Sequence, residues 1–146
     1  MKQFGRSFGE VPGAVYDDHD TAVAVIVGEG TSDFVLIRSR RTGLWRFPGD
    51  RVRGTDAGAD RETAAEHAAM RIIKERTGLA PRLKRIMVVS RPFGLLFGFI
   101  GLADFKQFAP RDDENTTMFP LGEIPLHNMS PTQKMAFDEA VRWIRE

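Results

Sequence analysis

Six arginines, Arg38, Arg40, Arg41, Arg46, Arg51 and Arg53, crowd one short segment of this chain, although its formal net charge is only +1. A guanidinium holds a phosphate through planar, paired hydrogen bonds, so this local excess suits an anion. The competing reading is a solvated face on alternating strand positions. If the segment is extended without a bulge, positions 51 and 53 share a face and 46 lies on the other. Arg51 and Arg53 can then act together on one anion while Arg46 points elsewhere. Further along, Asp112, Asp113 and Glu114 form an acidic stretch within a polar loop. His19, His67 and His127 show neither ligand spacing nor a triad signature. The absence of cysteine excludes a disulfide framework, thiolate chemistry and a zinc-finger site.

A chain of 146 residues, 42% hydrophobic and 28% charged, fits one soluble domain around a single core. The near-neutral net charge gives no global argument for nucleic acid or membrane. The longest apolar run, residues 93–103, is cut by Gly94, Gly98 and Gly101 and is too short to cross a bilayer. No apolar signal core opens the chain, so a cytoplasmic protein with no membrane partner is expected. Residues 1–20 are Gly-rich and polar and read as an arm or edge strand, leaving residues 21–146 as the folded domain.

Within that domain the β-branched run at 21–27 predicts a buried strand, and residues 34–38 predict the strand returning from a turn. Residues 45–52 are extended because Pro48 and Gly49 prevent a helix. A helix is expected from about Asp60, a capping residue, to Thr77, with alanines at 64, 65, 68 and 69 and Gly78 as its stop. Strands are expected at 83–90 and 95–105, joined as a hairpin through Arg91-Pro92-Phe93-Gly94. Residues 118–125 read as a short extended passage and turn. Ser130-Pro131-Thr132-Gln133 opens a last helix with Phe137, Ala140, Val141 and Ile144 on one face. This order predicts an α/β fold with an α/β/α sandwich around a mixed sheet.

Two passages carry a family resemblance. Leu44-Trp45-Arg46-Phe47-Pro48-Gly49 is followed, some twenty residues later, by Arg71-Ile72-Ile73-Lys74-Glu75-Arg76-Thr77-Gly78-Leu79. Together they resemble the Nudix box, G-x5-E-x7-R-E-U-x-E-E-x-G-U with U a bulky aliphatic residue. Asp33–Arg40 is similar to the strand that precedes the box, and Met118-Phe119-Pro120-Leu121 to a segment that follows the last strands. The departures are specific. Asp50 replaces the second of two adjacent glycines, and twenty residues separate it from Arg71 where the pattern has thirteen, so an insertion lies around 54–60. The first box glutamate falls on Thr63, and two later ones fall on Ile72 and Arg76.

The resemblance implies a Nudix-type sandwich and hydrolysis of a nucleoside diphosphate linked to another moiety, assisted by Mg²⁺ or Mn²⁺. Those hard cations need several oxygen ligands. Of the box carboxylates only Glu75 remains as a ligand or catalytic residue, with Glu114 or Asp112 from the loop as replacement ligand or base. Asp50 and Asp56 are further carboxylates that the insertion leaves free to reach the cleft. Arg76 opposes this site, since a unit charge about 4 Å from a divalent ion is repelled by up to roughly 8 kcal/mol at an effective dielectric constant near 20. Arg46, Arg51, Arg53 and Trp45 are the substrate-binding candidates. Glu75 can instead pair with Arg71, and Trp45 can belong to the core. The alternative function is a catalytically inactive Nudix-like domain that binds a nucleotide, a nucleic acid or a protein partner. Many relatives are dimers, which makes a homodimer a further expectation.

Overall fold

The computed structural model describes residues 13–110 and 115–146. Strands β1 (Thr21–Gly28), β2 (Asp33–Arg38), β3 (Trp45–Arg46) and β4 (Gly49–Arg51) come first, followed by helix α1 (Arg61–Thr77). Then come β5 (Arg82–Ser90), β6 (Leu95–Ala103), β7 (Thr116–Pro120) and helix α2 (Pro131–Arg145). They form a mixed sheet in the order β3-β2-β1-β6-β5, with β4 paired to β1 and β7 to β2. Only β1 and β6 run parallel, in a register from Thr21↔Leu96 to Gly28↔Ala103. The expected sandwich is what forms.

Strand alternation builds both layers from β1 alone. Ala22, Ala24 and Ile26 face the core under α1, while Val23, Val25 and Val27 face the core under α2. Both faces are covered, which is why residues 21–27 read as a continuous apolar run and not an alternating one. Four fully buried alanines, Ala64, Ala65, Ala68 and Ala69, line the inner side of α1. Their small side chains let the helix backbone lie close to the sheet. The caps are as the sequence predicts: Asp60 accepts from the Thr63 amide, Ser130 accepts from the Gln133 amide, and Gly78 ends α1 in the left-handed conformation. The last helix differs at its tail. Phe137 and Ala140 are buried, but Ile144 is exposed. The expected strand at 95–105 stops at Ala103, and a 3-10 turn at Phe105–Gln107 follows, with Asp104 capping it.

Asp20 ties these parts together. Its carboxylate is fully buried and accepts two hydrogen bonds from Arg61 of α1, at 2.9 and 2.6 Å, and one from the Leu95 amide of β6, at 2.8 Å. A buried carboxylate is tolerable only with such complete pairing. It fixes the start of β1 against both the helix and the parallel strand, at the end of the sheet where β4 also pairs.

Trp45–Arg51 is not one strand. Pro48 has no amide to donate, and the chain leaves β2 after Arg46 and joins β1 at Gly49, with Val23↔Gly49 and Thr21↔Arg51 as partners. Gly49 permits this close approach, since a Cβ there would run into the Ala22 carbonyl oxygen and lie 3.2 Å from the Val23 Cα. We expect Gly49→Ala to cost about 1–3 kcal/mol, the usual range for overpacking. Urea unfolding of the variant checks this, and an unchanged midpoint would mean that β4 shifts freely away from β1.

Candidate functional site

Beside β4 an open cleft of about 510 Å³ lies at the N-terminal ends of β1 and β6. Its lining includes the buried Val23, Phe47 and Leu96, three arginines, Arg41, Arg46 and Arg91, one carboxylate, Asp50, and the polar Ser39, Thr132 and Gln133. Two segments distant in sequence, around 41–46 and at 91, thus bring arginines to one hollow. Thr132 and Gln133 belong to the first turn of α2, whose free amides and dipole add positive potential. Gln133 also braces the wall, because its Oε1 accepts from the Phe47 amide at 2.8 Å.

Among the arginine candidates, Arg46 lines this cleft and donates to the Gly49 carbonyl at 3.2 Å. Arg51 and Arg53 do not line it. Arg53 is turned to Asp50, with Nη2 to Oδ2 at 3.0 Å, and Arg51 is exposed at the end of β4. The expected facial pairing of 51 with 53 therefore gives way to Arg46 with Arg41 and Arg91. The physical reason is that β4 ends at Arg51, so strand parity does not carry on to Arg53, which turns to Asp50. Trp45 packs edge-on against Phe119, ring centroids 4.8 Å apart, with the Arg38 guanidinium 5.9 Å from its ring. It belongs to the wall between β3 and β7.

The remaining box residues are arranged around Arg71. Its Nε and Nη2 donate to the two oxygens of Asp56, at 3.1 and 2.8 Å, and its Nη1 donates to Asp50 at 2.9 Å. This replaces the expected pairing of Arg71 with Glu75, since the insertion supplies Asp56, a buried partner with ideal bidentate geometry. Hydrogen bonding to Asp56, opposed by burial and reinforced by Asp50, drives the Arg71 pKa above the ordinary arginine value. Burial works to raise the Asp50 carboxyl, but hydrogen bonds from Arg71 and the Arg51 amide, with the charges of Arg53 and Arg71, outweigh it and hold it below the usual aspartate value. Burial, then the nearby Arg76, lower the Arg46 pKa against the pull of Asp50. Arg76 itself donates to Thr116 Oγ1 at 3.4 Å.

A divalent ion does not fit this arrangement. Ile72 is in the α1 core, Asp50 and Asp56 are engaged by Arg71, and Arg46 and Arg76 crowd the same place with positive charge. Glu75 is exposed and lines a separate shallow hollow with Arg71, Lys74, Gly78 and Ala109. The loop candidates Asp112 and Glu114 lie outside the described residues. Among the described residues, the one group of three acidic or histidine side chains near enough to share an ion is Asp17, Asp18 and His19, ahead of β1 and not at Glu75.

Comparison with solved structures gives the architecture a family. The Nudix domain of Shewanella oneidensis NrtR, in a structure with ADP ribose, aligns with a TM-score of 0.65 at 17% identity, over 86% of this chain and 87% of that one. A Nudix-family hydrolase from Clostridium perfringens aligns at 0.63 and 14% identity, over 84% and 96% of the two chains. This chain has the Nudix fold. The C-terminal domain of mouse MUTYH, in a complex with human PCNA, is similar as well, with a TM-score of 0.64 at 16% identity over 87% and 90%. No family model matches the sequence, and no curated protein is significantly similar to it. Identities this low make the Nudix likeness one of fold.

Sequence reasoning missed Arg41 and Arg91 as cleft residues and Asp20 as the buried anchor. Arg91 had one usable signal, its place at the turn into β6 beside the parallel partner strand. The Asp50 and Arg71 contact has a pH signature. A depressed carboxyl pKa contributes stability that is present above the unfolded value near pH 4 and is lost as pH falls through the folded value. We expect Asp50→Asn to cost roughly 1.5–3 kcal/mol at pH 7, as for a hydrogen bond to a charged group. The difference from wild type should shrink steadily below about pH 4. Denaturation followed from pH 7 to pH 2 checks it, and a gap independent of pH would exclude the ion pair as its origin.

Proposed function

We propose that this Nudix-fold domain binds a nucleoside diphosphate derivative in the arginine-rimmed cleft without using a divalent ion, and that it does not hydrolyse it. The observation that carries this reading is the convergence of Arg41, Arg46 and Arg91 on one cleft, where Asp50, the carboxylate in its lining, is paired with Arg71. A diphosphate needs positive charge, and guanidinium groups supply it directly through paired hydrogen bonds. The first turn of α2 adds amide dipoles. Attack of water on phosphorus calls for a polarising ion, and among the described residues Ile72 and Arg76 stand at two box carboxylate positions and Arg71 engages Asp50 and Asp56, which leaves Glu75.

ADP-ribose, which the NrtR Nudix domain holds in its structure, is a suitable probe for this cleft. We expect it to bind in EDTA with an affinity that added Mg²⁺ leaves unchanged and high salt weakens. Arg46→Ala should reduce affinity by about ten-fold or more, the equivalent of one charge-assisted hydrogen bond, while Arg53→Ala should have little effect. Titration calorimetry reads both. Binding that requires Mg²⁺, or release of AMP when Mg²⁺ is added, would overturn the reading in favour of a hydrolase.

A further inference from the structure

The hairpin that brings Arg91 to the cleft also carries a large apolar side chain into solvent. Phe93, two residues on, is 77% exposed. Its backbone is nevertheless fixed on both sides. The Arg91 amide donates to the Gly94 carbonyl at 3.1 Å and closes the turn, and the Leu95 amide donates to the buried Asp20 carboxylate at 2.8 Å. Gly94 has a φ of +86° and lies so close to His19 that a Cβ would run into the His19 carbonyl oxygen, so glycine is what seats the turn there. Phe93 and His19 are thereby brought together, ring centroids 6.3 Å apart and planes tilted by 36°. His19 is held in turn: Asp17 Oδ1 accepts from its amide at 2.8 Å, and its Nδ1 lies 3.3 Å from a carboxylate oxygen of Asp17 and of Asp18. An aromatic ring on a fixed backbone, with most of its surface in water, gains little from burial. It is what stacking on a planar ligand ring needs.

These rings adjoin the cleft. Arg91 and Thr21 both line it, and Phe93 and His19 each stand two residues from one of them, at most about 7 Å of backbone. Charge divides the two ends. Arginines stand in the cleft, whereas Asp17 and Asp18 stand beside the rings. A diphosphate is drawn to the first and repelled from the second, so a ligand with an anionic end and a neutral planar end is oriented along this line. We propose that Phe93, with His19 beside it, takes the base of the ligand by stacking, and that the cleft thereby selects a base-bearing diphosphate over a base-free one. Every base has a π-face, so this contact discriminates base from no base and not one base from another. The inference rests on the reading of the arginine cleft as a phosphate site and adds the residue that recognises the rest of the molecule.

ADP-ribose and inorganic diphosphate are titrated in EDTA into wild type, Phe93→Ala and Phe93→Trp, with calorimetry for affinity and fluorescence for the introduced indole. Phe93 is outside the core, so neither substitution removes core packing. Phe93→Ala should weaken ADP-ribose binding about five-fold or more and leave inorganic diphosphate unchanged. In Phe93→Trp the affinity should be retained, and the emission added over wild type should be quenched by ADP-ribose but not by inorganic diphosphate. ADP-ribose that binds wild type and Phe93→Ala equally, or that leaves the added indole emission unaltered, overturns the stacking role while the arginine cleft stands. An equal loss for both ligands overturns it too, because it traces to a displaced Arg91. A wild type that binds neither ligand overturns the reading of the cleft and this inference with it.

Discussion

Arg71 holds its guanidinium between carboxylates from two different segments, and the charge balance of the cleft follows from that contact. Asp50 comes from the strand that closes against β1, and Asp56 from the turn inside the insertion. Asp50 also lines the cleft and its charge acts on Arg46, but Arg41, Arg46 and Arg91 outnumber it among the lining side chains. The same contact also gives the insertion a structural purpose, since it seats a buried carboxylate on the second half of α1.

Around that contact the fold follows economical rules. One strand with two apolar faces, β1, carries both cores, and its parallel pairing with β6 sets the position of everything else in the sheet. Small alanines on α1 and the bare Cα of Gly49 allow backbone to approach backbone on either side of it. The polar anchor at Asp20 stands at the same end of the sheet as the cleft, so the arginine-bearing segments are attached to the most constrained part of the structure. A site for a fixed anion benefits from such preorganisation, because little side-chain order has to be gained on binding.

The Nudix fold can be kept while its metal chemistry is exchanged. Ile72 shows how: a position that follows the box arginine in the helix turns inward and joins the core as soon as it is apolar. Fold likeness at 16–17% identity to proteins whose structures contain ADP ribose or a protein partner is consistent with a scaffold that serves more than one role.

The sequence by itself determined the local structure and the fold class. Capping at Asp60 and Ser130, the stop at Gly78, the buried run at 21–27 and the order of elements all depend on residues near one another in the chain, and each was legible. So was the loss of the box carboxylates at Ile72 and Arg76, which needs only a count of positions. What tertiary structure decided was partnership across distance. Whether Arg71 meets Glu75, four residues away on its own helix, or Asp56, fifteen residues away through an insertion, depends on how a 3-10 turn lies against α1. Which arginines share the cleft depends on a strand break at Pro48 and on a hairpin that places Arg91 beside Arg46 and Arg41. Periodicity describes one element at a time, and long-range ion pairs are chosen by the packing of several.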